Sequence, residues 1–350
     1  QVWSEQDYSD LKVKLGGCYP FSHYFRSGVI GSGLCVFSRF PILDTLLYQY
    51  SLNGYPYMLQ HGDWFCGKSV GLVIIKISGI VFNVYVTHLH AEYCREKDAY
   101  LPHRLVQAWE LAQFIRHTSQ AADVVLLGGD LNMHPEDVGI RLLRGWTGLR
   151  DAFAEATRFE GGETLAQVAQ RGCGCPIPGG VQGQVGRGLE PPGLVGGVPA
   201  QGRGWHWGGF EVPSDPDNSM IQFYDSTGRK RLSRPCPPAE PTLADVVTEA
   251  RTEVGVGLRA AQRQRYSAGR MAVLALLLLL LQAAAALGAL AGLAAGQPFP
   301  KLSFSLLAFL ALGVLLLATG LHLFHTMEVK MLQGTEEQLR MALRALQERP

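Results

Sequence analysis

Two uninterrupted apolar runs near the C-terminal end constrain this chain more than any other feature. Met271 to Ala295 carries one polar amide, Gln282, and no charge; Leu302 to Leu323 is uncharged apart from His322. Each is long enough to cross a hydrocarbon core about 30 Å thick, which takes about 20 helical residues. Inside lipid the backbone must satisfy its own hydrogen bonds, so both runs read as helices. Gln297-Pro298-Phe299-Pro300-Lys301 leaves room only for a tight turn, and 271–325 reads as a transmembrane hairpin with spans 271–295 and 302–323. The alternative is a buried helical hairpin in a soluble core. It needs a large apolar partner that the rest of the chain does not supply.

Basic residues orient the hairpin. Arg259, Arg263, Arg265 and Arg270 precede the first run, Lys330 and Arg340 follow the second, and only Lys301 lies between them. The positive-inside rule then places both flanks, and the N-terminal region with them, in the cytosol. Residues 236–270 are read as a basic juxtamembrane segment and 326–350 as an amphipathic cytosolic tail. The expectation is a multi-pass protein of the endoplasmic reticulum or another endomembrane, the endoplasmic reticulum resting only on the resemblance given below.

Residues 1–160 carry the signals of an α/β domain. Gly33-Leu34-Cys35-Val36-Phe37-Ser38 is a short apolar run ending before Pro41. Val70 to Ile77 and Ile80 to Thr87 are β-branched runs separated by Ser78-Gly79, a two-residue hairpin signal. From Glu96 to His117 the apolar residues Leu101, Leu105, Ala108, Ala112 and Ile115 recur at helical spacing, with Pro102 suited to a first turn. Asp123 to Gly128 reads as another buried strand. Hairpin-paired strands mixed with helices favour a layered sandwich over a purely parallel sheet.

Residues 161–235 differ in kind. The stretch from Gly161 to Phe210 holds 16 glycines and many prolines, with no apolar periodicity. Such composition cannot bury enough surface to offset the entropy of ordering, so disorder is expected. A long structureless insert within a compact domain points either to a linker or to translated non-coding sequence, and the second reading is favoured. The chain opens at Gln1 in what looks like the middle of a domain, and incompleteness is expected there. The seven cysteines are odd in number and scattered, which favours reduced thiols over a disulfide framework. Cys173 and Cys175 have the spacing of neither a zinc site nor an easy disulfide. A formal net charge of +1 gives no global field that would draw nucleic acid.

Chemistry concentrates at strand ends. Gly129-Asp130-Leu131-Asn132 closes the apolar strand, and strand alternation puts Asp130 and Asn132 on one side. A carboxylate and an amide there suit a hard cation, an attacking water and phosphoryl oxygens, although both residues also favour a plain turn. Thr87-His88-Leu89-His90 ends a second strand. Its histidines resemble a metal pair, but a single histidine that stabilises or protonates a phosphate oxygen is the more natural reading; a capping histidine is the bland one. His61-Gly62-Asp63-Trp64 and Gly67-Lys68 lie in a loop before the hairpin. Lys68 could meet a phosphate with Asp63 holding it until substrate arrives, or the two could be a solvated loop pair.

Together, Ser32 to Ile42, Thr87-His88-Leu89-His90-Ala91-Glu92 and Gly129-Asp130-Leu131-Asn132 resemble the endonuclease/exonuclease/phosphatase superfamily, the DNase I-like fold. Asn53-Gly54-Tyr55-Pro56-Tyr57, His88 to Tyr93, Ala108 to Ile115 and Gly129 to Asp137 bring the wording closest to its neutral sphingomyelinase branch, whose mammalian members also end in a transmembrane hairpin. The resemblance is dense over 1–160 and returns more loosely over 240–350. It implies a four-layered α/β/β/α sandwich, incomplete here, with a magnesium site and a phospholipase C-type cleavage of sphingomyelin to ceramide and phosphocholine.

By resemblance, Asp130 and Asn132 position the water and a phosphoryl oxygen, and His88 stabilises developing charge. Ser32 and Arg39 support the site. Three departures bear on activity, the first being that the family's preceding strand, with the asparagine that is its remaining metal ligand, is absent from this chain. Gln1 occupies the position of the family's metal-binding glutamate, and the family's closing Ser-Asp-His does not occur as a tripeptide. The resemblance therefore implies a lipid partner in the bilayer (sphingomyelin or a lysophospholipid), Mg2+ as cofactor, no nucleic acid, and impaired catalysis. A nuclease or an inositol phosphate phosphatase needs no membrane spans. A catalytically silent, membrane-tethered remnant is the non-enzymatic alternative.

Overall fold

Ser78 and Gly79 both adopt positive φ, 51° and 90°, the backbone of a primed two-residue turn whose twist matches the strands it joins. The flanking runs accordingly pair antiparallel as β4 (Ser69–Ile77) and β5 (Ile80–His88). The computed structural model describes residues 2–155, 242–292 and 301–348, with three short strands at 196–199, 205–208 and 222–225. The chain forms two compact units, residues 1–246 and 247–350.

In the first unit, β6 (Val124–Asp130) lies parallel to β5 after the crossover helix α2 (Leu101–Thr118), and β3 (Ile42–Gln49) pairs with β4 on the other side. With β7 (Arg150–Asp151) and β10 (Gln222–Asp225) these make a six-stranded sheet of order β3-β4-β5-β6-β10-β7. β1 (Phe21–Tyr24) and β2 (Cys35–Ser38) form a separate antiparallel pair, as do β8 (Gly196–Pro199) and β9 (Trp205–Gly208).

Alternation along the strands gives the sheet two apolar faces. Val70, Leu72, Tyr85, Val125 and Leu127 pack under α2 and α3 (Val138–Thr147), against Leu111, Ala112, Ile115, Ile140 and Leu143. Val73 and Ile75 point the other way, toward Phe25 and Leu34, with Phe82, Val84 and Val86 only partly covered. Beyond β1 and β2 lies α1 (Glu5–Leu15), where Tyr8 stacks on Tyr24 with ring centroids 5.1 Å apart. Ser4 caps α1, its Oγ accepting from the Asp7 amide at 3.0 Å. The layers run helices, main sheet, β1–β2, helix: the α/β/β/α order of the DNase I-like sandwich.

The structure adjusts several sequence expectations. α2 begins at Leu101 rather than Glu96, because Asp98 turns the chain by accepting the Tyr100 amide at 3.0 Å and Pro102 can enter only a first turn. α1, β1 and β3 carry no clear periodic signal in the sequence. Most of 161–235 falls outside the described residues; within it, β10 sits between β6 and β7. Cys18, Cys35, Cys66 and Cys94 are free thiols, while Cys173, Cys175 and Cys236 lie outside the described residues.

The second unit is built from two long helices, Leu243–Gly292 (which starts just inside the first unit) and Lys301–Gln347. Both contain windows long and apolar enough to cross a membrane, with mean hydropathy 2.4. They extend well past the apolar runs into charged sequence. Arg251 Nη2 meets Glu336 Oε1 at 3.2 Å, and His322 Nδ1 donates to the Arg265 carbonyl at 3.0 Å. Met271 and Ala275 line a cavity with Ala311 and Val314. These contacts fix one antiparallel register, and buried alanines such as Ala275, Ala311 and Ala318 allow close approach. Residues 293–300 lie outside the described residues.

One glycine is critical to the first unit. Gly129 has φ 147°, and a Cβ there would fall 2.0 Å from the Thr87 carbonyl oxygen on β5. Gly129→Ala is expected to cost roughly 3 kcal/mol and lower the apparent Tm of the full chain in detergent by about 6–12 °C. An unchanged Tm would contradict this reading of the β5–β6 contact.

Candidate active site at the ends of β5 and β6

The parallel register of β5 and β6 sets Thr87 opposite Gly129 and His88 opposite Asp130. His88 Nε2 lies 4.0 Å from Asp130 Oδ2. Lys68, one residue before β4, reaches the same point from the neighbouring strand. Its Nζ lies 2.7 Å from His88 Nε2, donates to the Leu89 carbonyl at 3.1 Å, and sits 3.4 Å from Asp63 Oδ1. Asn132 Nδ2 also donates to the Leu89 carbonyl, at 2.9 Å, and the Asn132 amide donates to Asp130 Oδ1 at 3.0 Å. Asn132 adopts φ 48° to do so, a conformation asparagine tolerates better than most residues.

The structure thus brings Lys68, Asp63, His88, Asp130 and Asn132 into one linked set. Gln1 lies outside the described residues. The two histidines of Thr87-His88-Leu89-His90 do not act as a pair. His88 serves Lys68 and Asp130, whereas His90 lies 3.7 Å from Asp63 Oδ2 and stacks on Tyr100 with centroids 4.1 Å apart. Ser32 is buried and supports a loop, donating to the Phe25 carbonyl and accepting from the Leu34 amide at 3.1 Å. Arg39 is exposed and lies over the Tyr19 ring, 5.8 Å from its centroid.

Burial dominates the electrostatics. It pushes the Lys68 ammonium down from the usual lysine range, with Asp63 pulling it back up. Burial, then the charge of Lys68, brings the His88 pKa down to about 2, so its imidazole is neutral at any working pH. Burial raises the Asp130 carboxyl, opposed by the Asn132 amide and by Lys68. The set therefore offers a buried cation, a neutral imidazole and a carboxylate that remains about one-third exposed, at 34% of its side-chain surface.

Several supporting residues gave no sequence signal. Trp3 lies with its ring 5.7 Å from the His88 ring and 6.0 Å from Lys68 Nζ. The Leu89 carbonyl joins Lys68 to Asn132, and a backbone acceptor leaves no mark in side-chain patterns. On α2, Gln107 accepts the His90 amide at 2.8 Å and donates to the Leu52 carbonyl at 2.7 Å, while Arg104 donates to the Ala91 carbonyl at 3.1 Å and to Asp98. Asn53 ties its Nδ2 to the Asp63 and Cys66 carbonyls at 2.6 and 2.7 Å. The Asn53-Gly54 and His103/Gln107 positions point to this role only once the loop and helix are known to meet.

A hard cation fits the donors at hand. Among the described residues no three His, Cys, Asp or Glu side chains gather for a metal, so an all-protein cage is absent there. Asp130 and the side-chain oxygen of Asn132 are oxygen donors. Magnesium is commonly held by one or two carboxylates while it keeps several waters. No thiolate takes part, which disfavours a soft metal.

Several known proteins are similar to this chain. The model of the Endonuclease/Exonuclease/phosphatase family matches residues 2–220. Sphingomyelin phosphodiesterase 2 of Mus musculus is 44% identical over 341 residues, covering 94% of this chain and 79% of that protein. Sphingomyelin phosphodiesterase 2 of Rattus norvegicus is 62% identical over 173 residues, covering 49% of this chain and 41% of that protein. The crystal structure of sphingomyelinase C from Streptomyces griseocarneus aligns with a TM-score of 0.39 at 15% identity, covering 64% of this chain and 84% of that one.

Acid should weaken the fold through His90. Burial lowers its pKa from 6.5 to about 3, outweighing the attraction of Asp63. The unfolded chain therefore takes up this proton first as pH falls below 6.5, and the stability present above that point is lost toward the folded value. Between pH 6.5 and 5 the apparent Tm should fall, and His90→Gln should flatten the decline by up to about 1.4 kcal/mol per pH unit. Identical slopes for the two proteins would contradict the assignment.

Proposed function

The chain belongs to the endonuclease/exonuclease/phosphatase family, in the branch that holds sphingomyelin phosphodiesterase 2, and on that premise we propose that it hydrolyses sphingomyelin by a phospholipase C-type cleavage into ceramide and phosphocholine. The observation that carries this reading is the meeting of Lys68, His88 and Asp130 at one strand edge, with Lys68 Nζ 2.7 Å from His88 Nε2. A phosphodiester carries a negative charge that grows in the transition state, and a preorganised buried ammonium is suited to it. Lys68 donates to a phosphoryl oxygen, leaving Asp63 as it does so. Neutral His88 offers a hydrogen bond without a charge of its own, beside the leaving or non-bridging oxygen. Asp130 orients the attacking water by accepting its hydrogen bond, and Asn132, fixed through Leu89, holds a phosphoryl oxygen or its bound cation.

Magnesium, held by Asp130 and Asn132, would act as a Lewis acid toward the phosphoryl group. Gln1 supplies an amide where the resemblance puts a carboxylate, and an amide is the weaker ligand for magnesium. With no Ser-Asp-His tripeptide for the general base, turnover in this chain is expected to be slow. The two apolar helices keep the enzyme in the bilayer of its substrate, which raises the local lipid concentration. The arginines before Met271 favour an α/β unit on the cytosolic face, of the endoplasmic reticulum or another endomembrane. A lysophospholipid presents the same choline phosphodiester and is accepted by the same chemistry.

Phosphocholine release from sphingomyelin in mixed micelles, with and without magnesium, tests the reading. Asp130→Ala, Asn132→Ala and His88→Ala should each lower the magnesium-dependent rate by at least about 10²-fold, and Gln1→Glu should raise it. Unchanged turnover in all three alanine variants would refute the site.

A further inference from the structure

Large apolar side chains that face water are unevenly spread over the α/β unit. Val29, Ile30, Tyr57, Leu59, Trp64 and Tyr93 project from three separate segments, and hydrogen bonds gather those segments into one rim. The amides of Val29 and Ile30 both donate to the Phe65 carbonyl, at 3.2 and 3.3 Å, and Gly28 bridges to Cys66. The first segment therefore lies against the second. The Tyr93 hydroxyl donates to the His61 carbonyl at 2.5 Å, and its ring lies flat on His61 with centroids 3.9 Å apart. That joins the third segment to the second. The second segment also carries Asp63, which holds Lys68 at 3.4 Å, so the rim borders the lysine that meets the phosphate.

We propose that this rim is a docking surface for the headgroup region of a lipid bilayer, separate from the two apolar helices. The purpose of such docking rests on the lipid-hydrolase reading: a phosphodiester at headgroup depth must enter a site that contains buried Lys68. Three observations select lipid as the occupant. Val29 is 82% and Leu59 67% exposed, and ordered loops that hold aliphatic tips this far into water mark a contact surface. Trp64 and Tyr93 flank those tips, and these are the side chains that settle at a membrane–water boundary. Neither 26–31 nor 55–65 presents an exposed carboxylate, since Asp63 is 13% exposed and is paired with Lys68; the exposed Glu96 of the third segment confines repulsion of anionic headgroups to that end of the rim. The same chain carries two helices long and apolar enough to cross a membrane, so a bilayer is the large surface this unit stays near.

The test uses the full chain in nanodiscs of sphingomyelin and phosphatidylcholine, with a share of the lipid brominated near the top of the acyl chain. Subtracting the fluorescence of Trp64→Phe from that of wild type isolates the Trp64 signal. That signal should be blue-shifted and quenched at least twofold by the brominated lipid. Leu59→Asp combined with Val29→Asp should abolish the quenching while the unfolding temperature of the chain stays the same. A Trp64 signal that ignores brominated lipid would overturn the proposal. So would one that shifts with protein concentration instead, which would mean that a second copy covers the rim. The readout involves no turnover, so loss of hydrolysis with quenching intact would strike the catalytic reading alone.

Discussion

The parallel pairing of β5 with β6 is the contact from which the rest of the site follows. Its register sets His88 beside Asp130, and it holds only because Gly129 lets the chain pass against the Thr87 carbonyl. A one-residue slip would turn every side chain of β6 to the other face. Val125 and Leu127 would leave the helix-covered core, and Asp130 would leave His88. Packing and chemistry are therefore specified by the same pairing. Asn132 extends that control past the strand end, through its bond to the Leu89 carbonyl.

Lys68 is the energetic counterweight. Removing an ammonium from water costs several kcal/mol unless partners replace the lost hydration. Asp63, the Leu89 carbonyl and the His88 ring are the replacements. None of them is a tight carboxylate clamp, since Asp63 remains 3.4 Å away and also accepts the Ala91 amide at 2.9 Å. On the proposed reading, such a cation would exchange Asp63 for a phosphoryl oxygen once the site opens, since its side chain is fully buried here. The neutral state of His88 belongs to the same balance, because two cations in contact would not be stable there.

The parts of this arrangement that the sequence made legible are those with local signals. Ser78-Gly79 announced the β4–β5 hairpin, the apolar run before Gly129 announced β6, and the uncharged spans announced the two long helices. β3 was not legible, because an edge strand with one open side shows no clean alternation; Leu43 and Leu46 remain exposed on it. α1 was missed because it buries no residue fully and its stability comes from the Ser4 cap and from packing on β1 and β2. On α2, His103, Arg104 and Gln107 look like a solvent face by residue type, yet all three are buried and brace the loops that carry Asp63 and His90. The convergence of Lys68 on His88 depends on strand order, which no local pattern encodes.

The central claim is that Asp130 and Lys68 form a joint site, one for a hard cation and the other for a phosphoryl group. Titration of Mn2+ into the full chain, followed by electron paramagnetic resonance with and without phosphocholine, tests it most directly. Wild type should bind one ion, with phosphocholine tightening the binding. Asp130→Asn should lose the ion, and Lys68→Met should keep the ion but lose the effect of phosphocholine. Equal Mn2+ binding by wild type and Asp130→Asn would contradict the account.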